Sequence, residues 1–404
     1  MKINTIRRFD KYLGIPVCYI LTLYKSLLEI FSGNKKKQVP SEKVLFIKLI
    51  EQGATVIAYS AIKNAIEEYG LKNVFFLVLE ENRPILDILN ILPEENILVI
   101  RNKGLFQTGS DLLKTLFKIR KLKIDTVIDM EFFSRSSAII GYLCGAKKRI
   151  GNHRFNSEFS YRGNLFTHRV QYNPYLHLTI GYELLVETAK LDKSVIPLPK
   201  VNTSEIQIKK PAFISTEEER KYVYNLITEA STVKFNKIII LNPNASDIIP
   251  YRKWPQEYFI QLIEFLTQKY NDIIIVLTGM KTDFVSTENI SAKSQSPIVV
   301  NLAGKLKLRE LLVLYTMSDI LVTNDSGPGH FASLTNIHNI VLFGPETPVL
   351  FGPVSDNTHI VYTNLACSPC VNVFNHRFSP CKNNVCMKEI LPQYVFDKIQ
   401  EILN

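Results

Sequence analysis

Several features that would place the chain in a special class are missing from its sequence. The 404 residues contain no short-period repeat and no low-complexity tract, which excludes repeat, fibrous and disordered architectures. No nucleic-acid recognition motif occurs, so the formal charge of +10 predicts a different anionic partner, such as a phosphorylated molecule or a bilayer surface. With 46% hydrophobic residues, the chain can form two or three domains with substantial cores.

The first forty residues lack an uninterrupted apolar run of transmembrane length. The apolar stretch from Leu13 to Phe31 contains Pro16, Lys25 and Glu29, whereas a spanning helix needs about 20 mainly apolar residues. Basic residues flank it on both sides, and no small-x-small cleavage site precedes the following lysines. We therefore predict that segment 1–40 is an interfacial anchor on an anionic membrane surface, with an ordinary packed helix or a cleaved signal as alternatives.

From residue 43 onward, short apolar runs alternate with stretches of helical periodicity, which is typical of α/β domains with parallel sheets. The predicted strands are 44–49, 74–79, 97–100 and 126–130 in the first half, and 237–242, 273–277, 298–302, 320–323 and 339–343 in the second. A polar stretch at 192–211 containing proline separates the halves. We predict doubly wound domains at 41–200 and 201–391, followed by a C-terminal helix at 392–404.

The segment Asp325–His330 joins a strand-like run to a helix-like run and contains two glycines. Free N–H groups at such a turn can bind a phosphate, and the flanking Asp and His can hydrogen-bond hydroxyls or phosphate oxygens. Two other interpretations remain open. The turn can be a capped strand-to-helix connection without a ligand, or it can be a dinucleotide-binding Gly-x-Gly-x-x-Ala loop with Glu346 as its ribose-binding acid.

The second half resembles glycosyltransferase family 9, the heptosyltransferase-like family. The matching segments, in chain order, are Leu241–Ser246, Arg252–Pro255, Leu277–Gly279 with Asp283, Asn301–Gly304, Asp325–Ala332 and Leu342–Pro345. Weaker similarity reaches the first half through Phe46–Ala54 and Tyr161–His177, and only the first forty residues fall outside it.

This resemblance implies a GT-B fold, in which two Rossmann-like domains face a central cleft. It also implies inverting, metal-independent transfer of a heptose or related sugar from a nucleotide-sugar, such as ADP-heptose, to a lipopolysaccharide or another glycan acceptor. The sequence contains no Asp-x-Asp pair, so protein groups are expected to stabilise the leaving diphosphate without a catalytic cofactor. The enzyme is expected at the cytoplasmic face of the membrane.

The resemblance also assigns residues to the donor site, and we predict that they bind the nucleotide-sugar. The family's phosphate-contacting cation corresponds to Arg252, and its ribose contact to Asp283. Asp325 would bind hydroxyls of the transferred sugar. The full set of predicted donor-binding residues is Ser246, Arg252, Lys253, Asp283, Asp325, Ser326, Gly327, Gly329 and His330. Trp254 is predicted either to pack beneath the next helix or to contact the ligand.

One position departs from the family pattern. The family usually carries a Gly-Asp pair after its first strand, with the Asp as proposed general base, and here the pair is Gly53 and Ala54. Alanine cannot accept a proton, so we predict that Glu51, three residues earlier, is the catalytic base. A base elsewhere, such as His330 or His153, is the first alternative. The second is a catalytically inactive protein that binds nucleotide-sugars.

Four of the six cysteines lie within twenty residues, at Cys367, Cys370, Cys381 and Cys386. This spacing in a Cys-rich loop at 367–386 predicts a structural zinc site or an iron–sulfur cluster. Reduced cysteines without metal and disulfides are the alternatives.

Overall fold

A computed structural model of the protein describes residue 10 and residues 12–31, 41–153, 161–191, 196, 198–246, 249–375 and 377–404. The chain divides into two compact units, Met1–Lys209 and Lys210–Asn404. Each unit contains one six-stranded sheet. The basic residues that flank the apolar N-terminal stretch, and part of the polar stretch predicted at 192–211, lie outside the described residues.

The first unit begins with a long helix and continues with alternating strands and helices. Its helices are α1 (Gly14–Phe31), α2 (Gln52–Ile57), α3 (Tyr59–Tyr69), α4 (Arg83–Leu89), α5 (Leu105–Lys121), α6 (Arg135–Leu143) and α7 (Leu178–Thr188). Its strands are β1 (Val44–Ile47), β2 (Val74–Leu79), β3 (Ile97–Ile100), β4 (Thr126–Asp129), β5 (Lys148–His153) and β6 (His168–Gln171).

The second unit repeats this alternation. Its helices are α8 (Glu217–Ala230), α9 (Gln256–Lys269), α10 (Phe284–Ser294), α11 (Leu308–Thr316), α12 (Gly327–Ala332), α13 (Pro348–Phe351), α14 (Val385–Lys388) and α15 (Pro392–Leu403). Its strands are β7 (Lys237–Asn242), β8 (Ile273–Leu277), β9 (Val299–Asn301), β10 (Ile320–Asn324), β11 (His338–Phe343) and β12 (Thr358–Tyr362).

The two sheets have the same strand topology. The first has the order β3-β2-β1-β4-β5-β6, and the second, read in the corresponding direction, has the order β9-β8-β7-β10-β11-β12. Neighbouring strands pair in parallel throughout both orders. In each sheet the order reverses beside the first strand, which is the arrangement of a doubly wound domain. The prediction of two doubly wound α/β domains is confirmed.

The central strands are easy to recognise in the sequence because both of their faces are covered. Every residue of β1, β2, β8 and β10 is buried, so these strands are nearly continuous apolar runs. The sequence analysis did not predict β5, β6 and β12. All three strands carry charged or polar residues, so a search for apolar runs does not find them.

The last helix, α15, had no packing partner assigned from the sequence. In the structure it packs against α9, and the rings of Phe265 and Phe396 lie 5.6 Å apart. Val395 and Ile399 enter the same core, which also contains Trp254. The C-terminal helix therefore completes the hydrophobic core of the second unit.

Helix α1 presents a stripe of mainly small and polar residues to its own unit and leaves most of its large apolar residues exposed. Gly14 and Cys18 are buried, the Lys25 Nζ donates to the carbonyl of Asn164 at 2.6 Å, and the Thr22 hydroxyl accepts from the Asn164 N–H at 3.0 Å. The large exposed side chains are Ile15, Val17, Tyr19, Ile20, Leu23, Tyr24, Leu27, Leu28, Ile30 and Phe31. By length and composition alone, this helix could cross a bilayer.

Candidate functional site

The residues predicted to bind a donor follow the carboxyl ends of strands in the second sheet. Ser246, Arg252 and Lys253 follow β7, Asp283 follows β8, and the turn 325–330 follows β10. Because the strands are parallel, their carboxyl ends lie along one edge of the sheet, where open α/β sheets bind ligands. The tertiary fold therefore places all the predicted donor residues on one edge of the second unit.

Arg252 and Asp325 are in direct contact. The Arg252 Nη1 donates to the Asp325 carbonyl at 2.9 Å and lies 3.3 Å from the Asp325 Oδ2. Burial raises the pKa of the Asp325 carboxyl, while Arg252 and Arg377 oppose that shift. The Arg252 Nε is also buried and has no hydrogen-bond partner among the residues that the structure describes. The pair thus combines a cation with remaining donor capacity and an acceptor for hydroxyl groups.

The turn between β10 and α12 is tightly packed. Ser326 is the N-cap of α12 in an extended conformation, and its hydroxyl donates to the carbonyl of Asn324 at 3.1 Å. A Cβ on Gly329 would lie 3.4 Å from Val341 and 3.5 Å from Thr323. The α12 N-terminus is therefore held close against β10 and β11, with Gly327 as its first residue and His330 within it.

Asn324 links the end of β10 to residues at both ends of the β7–α9 connection, a role that no sequence pattern predicted. It is completely buried, and its Oδ1 accepts from the Trp254 N–H at 2.9 Å. Its Nδ2 donates to the carbonyls of Pro243 at 3.0 Å and Asn244 at 3.4 Å. A polar residue at the end of an otherwise apolar strand, directly before Asp325, was the available signal.

Trp254 packs beneath α9 instead of pointing to a ligand. Its side chain is buried, its Nε1 donates to the Ile390 carbonyl at 2.8 Å, and its ring meets Phe259 edge-on at 4.8 Å. These contacts favour the packing interpretation, since a buried indole N–H needs a hydrogen-bond partner.

The loops after β7, β8 and β9 are also packed together. A Cβ on Gly279 would lie 2.6 Å from the Asn244 side chain and 3.0 Å from the Asp283 Cβ. Gly304 has a φ of +72° and donates its N–H to the Gly279 carbonyl at 2.9 Å. The carboxylate of Asp283 accepts from the Met280 N–H at 2.8 Å. Asp283 is thereby fixed beside the β8 loop.

The first unit places a charged cluster at the carboxyl end of its own sheet. Glu51 is the N-cap of α2 with a φ of +73°, and its Oε2 lies 3.1 Å from the Nζ of Lys48. The same Nζ lies 3.2 Å from the Oε2 of Glu131, which follows β4. Ala54 lies within α2. Glu51 therefore occupies the strand-to-helix loop as predicted, in the other unit from the donor residues.

The two histidines considered as alternative bases lie in different units. His153 ends β5, where burial and the neighbouring Arg162 and Arg169 lower its pKa to about 4. Its imidazole is therefore neutral near pH 7 but only weakly basic. His330 lies in α12 beside the donor residues.

The four C-terminal cysteines are free and differ in exposure. Cys367 is exposed, Cys370 and Cys381 are half-buried, and Cys386 is buried. Burial raises the pKa of Cys386 to about 11, and the other three cysteines add to that shift. Within the described part of the chain, no three potential ligands are arranged to hold a metal ion.

Two doubly wound domains of the same topology are the architecture of GT-B glycosyltransferases. The family model of glycosyltransferase family 9 (heptosyltransferase) matches residues 113–377, and the chain belongs to this family.

Curated relatives and solved structures agree with this assignment. The chain is 30% identical over 169 residues to lipooligosaccharide heptosyltransferase 2 of Campylobacter jejuni, covering 41% of this chain and 51% of the relative. It is 23% identical to lipopolysaccharide heptosyltransferase 1 of Campylobacter coli, over 75% of this chain and 84% of the relative. The chain thus spans about half the length of the relative from C. jejuni and more of the second.

Two solved structures share the fold. The E. coli ADP-heptose lipopolysaccharide heptosyltransferase II superposes with a TM-score of 0.65 at 20% identity, covering 89% of this chain and 98% of that one. A glycosyltransferase family 9 protein from Veillonella parvula superposes with a TM-score of 0.67 at 16% identity, covering 91% and 98%.

Proposed function

We propose that the protein transfers a heptose or related sugar from a nucleotide-sugar, such as ADP-heptose, to a lipopolysaccharide or another cell-surface glycan. The observation that carries the proposal is the Arg252–Asp325 pair at the carboxyl edge of the second sheet. A guanidinium whose Nε has no partner among the described residues suits the leaving diphosphate, and the adjoining carboxylate suits the hydroxyls of the sugar. The two curated relatives reported above are both named heptosyltransferases, which supports the same reaction class.

The proposed reaction is an inverting displacement without a metal ion. The acceptor hydroxyl oxygen bonds to the anomeric carbon while the bond to the nucleoside diphosphate breaks. Glu51 takes the hydroxyl proton, and Arg252, Lys253 and the turn at Ser326 stabilise the negative charge of the leaving diphosphate. Glu51 suits the role of base because its side chain is 28% exposed, while the buried Lys48 ammonium, 3.1 Å from its Oε2, fixes its position.

A turnover assay tests both the activity and the base. Purified protein is given ADP-, UDP-, GDP- and CMP-sugars with a lipid-linked glycan extract, and nucleotide release is measured for wild type and for Glu51→Gln. We expect acceptor-dependent release that falls at least a hundredfold in Glu51→Gln, with nucleotide affinity nearly unchanged. Glu95→Gln, the same change at an exposed residue, is the matched control.

The main alternative is a protein that binds nucleotide-sugars without catalysis, and Ala54 is the observation that favours it. Tight donor binding without turnover, for wild type and across all acceptors, would establish this alternative. Turnover that is retained in Glu51→Gln would instead show a transferase with a different base.

We also propose that α1 attaches the protein to the cytoplasmic face of the membrane. The support is its row of exposed apolar side chains, of which Leu23 and Leu27 are 48% and 54% exposed, together with the basic residues of segment 1–40. In flotation assays, wild type should bind vesicles containing anionic lipid, and the double variant Leu23→Ser, Leu27→Ser should bind weakly. Equal binding of both proteins would contradict this role of the helix.

A structural metal at the four cysteines is a separate proposal. Four neighbouring thiols are the donor set of a zinc or iron–sulfur site, although their positions in the structure do not form a ligand set. Elemental analysis of wild type and of Cys370→Ser decides the question. Metal at one equivalent per chain in wild type, lost in the variant, would support the site, and metal-free wild type would exclude it.

A further inference from the structure

Two buried charged residues, Lys48 and Glu131, adjoin Glu51. Strands β1 and β4 pair in parallel with Ile47 opposite Asp129, so Lys48 and Glu131, which follow these strands, emerge at the same edge of the sheet. The Lys48 side chain has no exposed surface, and Glu131 is 8% exposed. The Lys48 Nζ lies between the carboxylates of Glu51 and Glu131, at 3.1 and 3.2 Å.

Glu131 also fixes the backbone of the loop that carries Glu51. Its Oε1 accepts from the Leu49 N–H at 2.7 Å and from the Ile50 N–H at 3.3 Å, while its Oε2 accepts from Lys48. Both oxygens of this buried carboxylate are therefore engaged within the protein. Glu131 is suited to hold the loop and not to take a proton from an acceptor.

The backbone of Glu51 needs such support. Its φ of +73° and ψ of +83° are in the left-handed region, which is sterically disfavoured for a residue with a side chain. The two preceding amides are bound to Glu131, and the following residue, Gln52, donates its side-chain amide to the Glu81 carbonyl at 2.7 Å. These contacts on both sides hold Glu51 in a conformation that it would otherwise leave.

The charges of the cluster also matter for proton transfer. Burial opposes the charge on Lys48, but the carboxylates of Glu131 and Glu51 outweigh it and raise the Lys48 pKa. The Tyr182 hydroxyl of α7 also raises the Lys48 pKa. Asp129 accepts from the Glu131 N–H at 3.0 Å, and its charge is balanced by Arg162, whose Nη1 lies 3.5 Å from the Asp129 Oδ2. Lys48, Glu51 and Glu131 together carry a net charge of −1. Because Glu131 neutralises the Lys48 ammonium, the Glu51 carboxylate remains able to accept a proton.

We propose that Glu131 and Lys48 are positioning residues for Glu51 in the transfer reaction, Glu131 by fixing the loop and balancing the charge of Lys48, and Lys48 by orienting the Glu51 carboxylate. This inference rests on the proposed function. It predicts that Glu131 influences turnover through Glu51, without contacting either substrate.

The test compares Glu131→Gln with Glu131→Ala. Glutamine keeps an Oε1 acceptor for the two amides but removes the negative charge, so Lys48 then pairs with Glu51 alone. For Glu131→Gln we expect kcat to fall about tenfold, the acidic limb of the kcat/KM profile to move about one pH unit lower, and the donor KM to stay within about twofold. Lys48→Met should move that limb in the opposite direction.

Amide exchange supplies a readout that does not depend on activity. Peptides covering Leu49–Glu51 should exchange faster in Glu131→Ala and at the wild-type rate in Glu131→Gln, because only alanine removes the acceptor. Equal exchange in all three proteins, or an unshifted acidic limb in Glu131→Gln, would overturn the proposal. If wild type turns over no donor with any acceptor, the transferase itself is refuted, and with it a role of the pair in transfer. The exchange data would then still show whether Glu131 holds the loop.

Discussion

Asn324 offers the sharpest prediction for the second unit, because one buried amide links the end of β10 to both ends of the β7–α9 connection. In Asn324→Ala, the Trp254 N–H loses its acceptor at 2.9 Å, and the Pro243 carbonyl loses its donor at 3.0 Å. The bond to the Asn244 carbonyl, at 3.4 Å, is long and adds little. An unsatisfied buried polar group costs about 1–3 kcal/mol, so we expect the unit to lose about 3 kcal/mol of unfolding free energy.

Tryptophan fluorescence can follow the unfolding of the second unit separately. Trp254 is the single tryptophan of the chain and lies in the core of the second unit, so its fluorescence during urea unfolding reports on that unit. With a urea m-value of about 2 kcal/mol per molar, the transition should move about 1.5 M lower in Asn324→Ala. Nucleotide affinity should fall as well, because Arg252 is two residues from Trp254.

A matched change in the first unit serves as the control. Asn96 is also buried, and its Nδ2 donates to the carbonyls of Leu71 at 3.0 Å and Val74 at 2.9 Å. Asn96→Ala should destabilise the first unit, as followed by circular dichroism, and leave the Trp254 fluorescence transition in place. An unchanged fluorescence midpoint in Asn324→Ala, or equal shifts in both variants, would show that Asn324 does not stabilise the second unit in this way.

Two further predictions concern single side chains. Trp254→Phe leaves the buried Ile390 carbonyl without its donor, so the second unit should lose about 1–3 kcal/mol in urea unfolding followed by circular dichroism, while donor affinity changes little; a large affinity loss at unchanged stability would instead indicate a ligand contact. The pKa of His153, about 4 against an ordinary value of 6.5, means that its contribution to stability is present above pH 6.5 and is lost as the pH falls toward 4. Between pH 7 and pH 4.5, the unfolding free energy of wild type should therefore fall by about 1–2 kcal/mol more than that of His153→Asn, after allowance for solvent screening of the partly exposed ring. Parallel curves of stability against pH for the two proteins would contradict this.

Most of the fold could be predicted because burial on both faces forces the central strands to be apolar. β2 and β8 were predicted with the bounds that they have in the structure. β5, β6 and β12 were not predicted, since their charged and polar side chains interrupt the apolar pattern. Local periodicity also does not record a break within a helical stretch, since residues 56–69 are divided between α2 and α3, which meet at Ala58.

In the candidate site, too, the features that are local in the sequence could be predicted, and the contacts between distant residues could not. Residue order alone indicates the strand-to-helix turn at Asp325–His330, the family pattern around Arg252 and the replacement of the usual acid by Ala54, since each is a local run of residues. Folding of the chain is needed to bring Arg252 into contact with Asp325, which lies 73 positions away, and Lys48 into contact with Glu131, which lies 83 positions away. Such pairs form where parallel strands end side by side, and the order of strands in a sheet depends on packing of the whole chain, which no local pattern records.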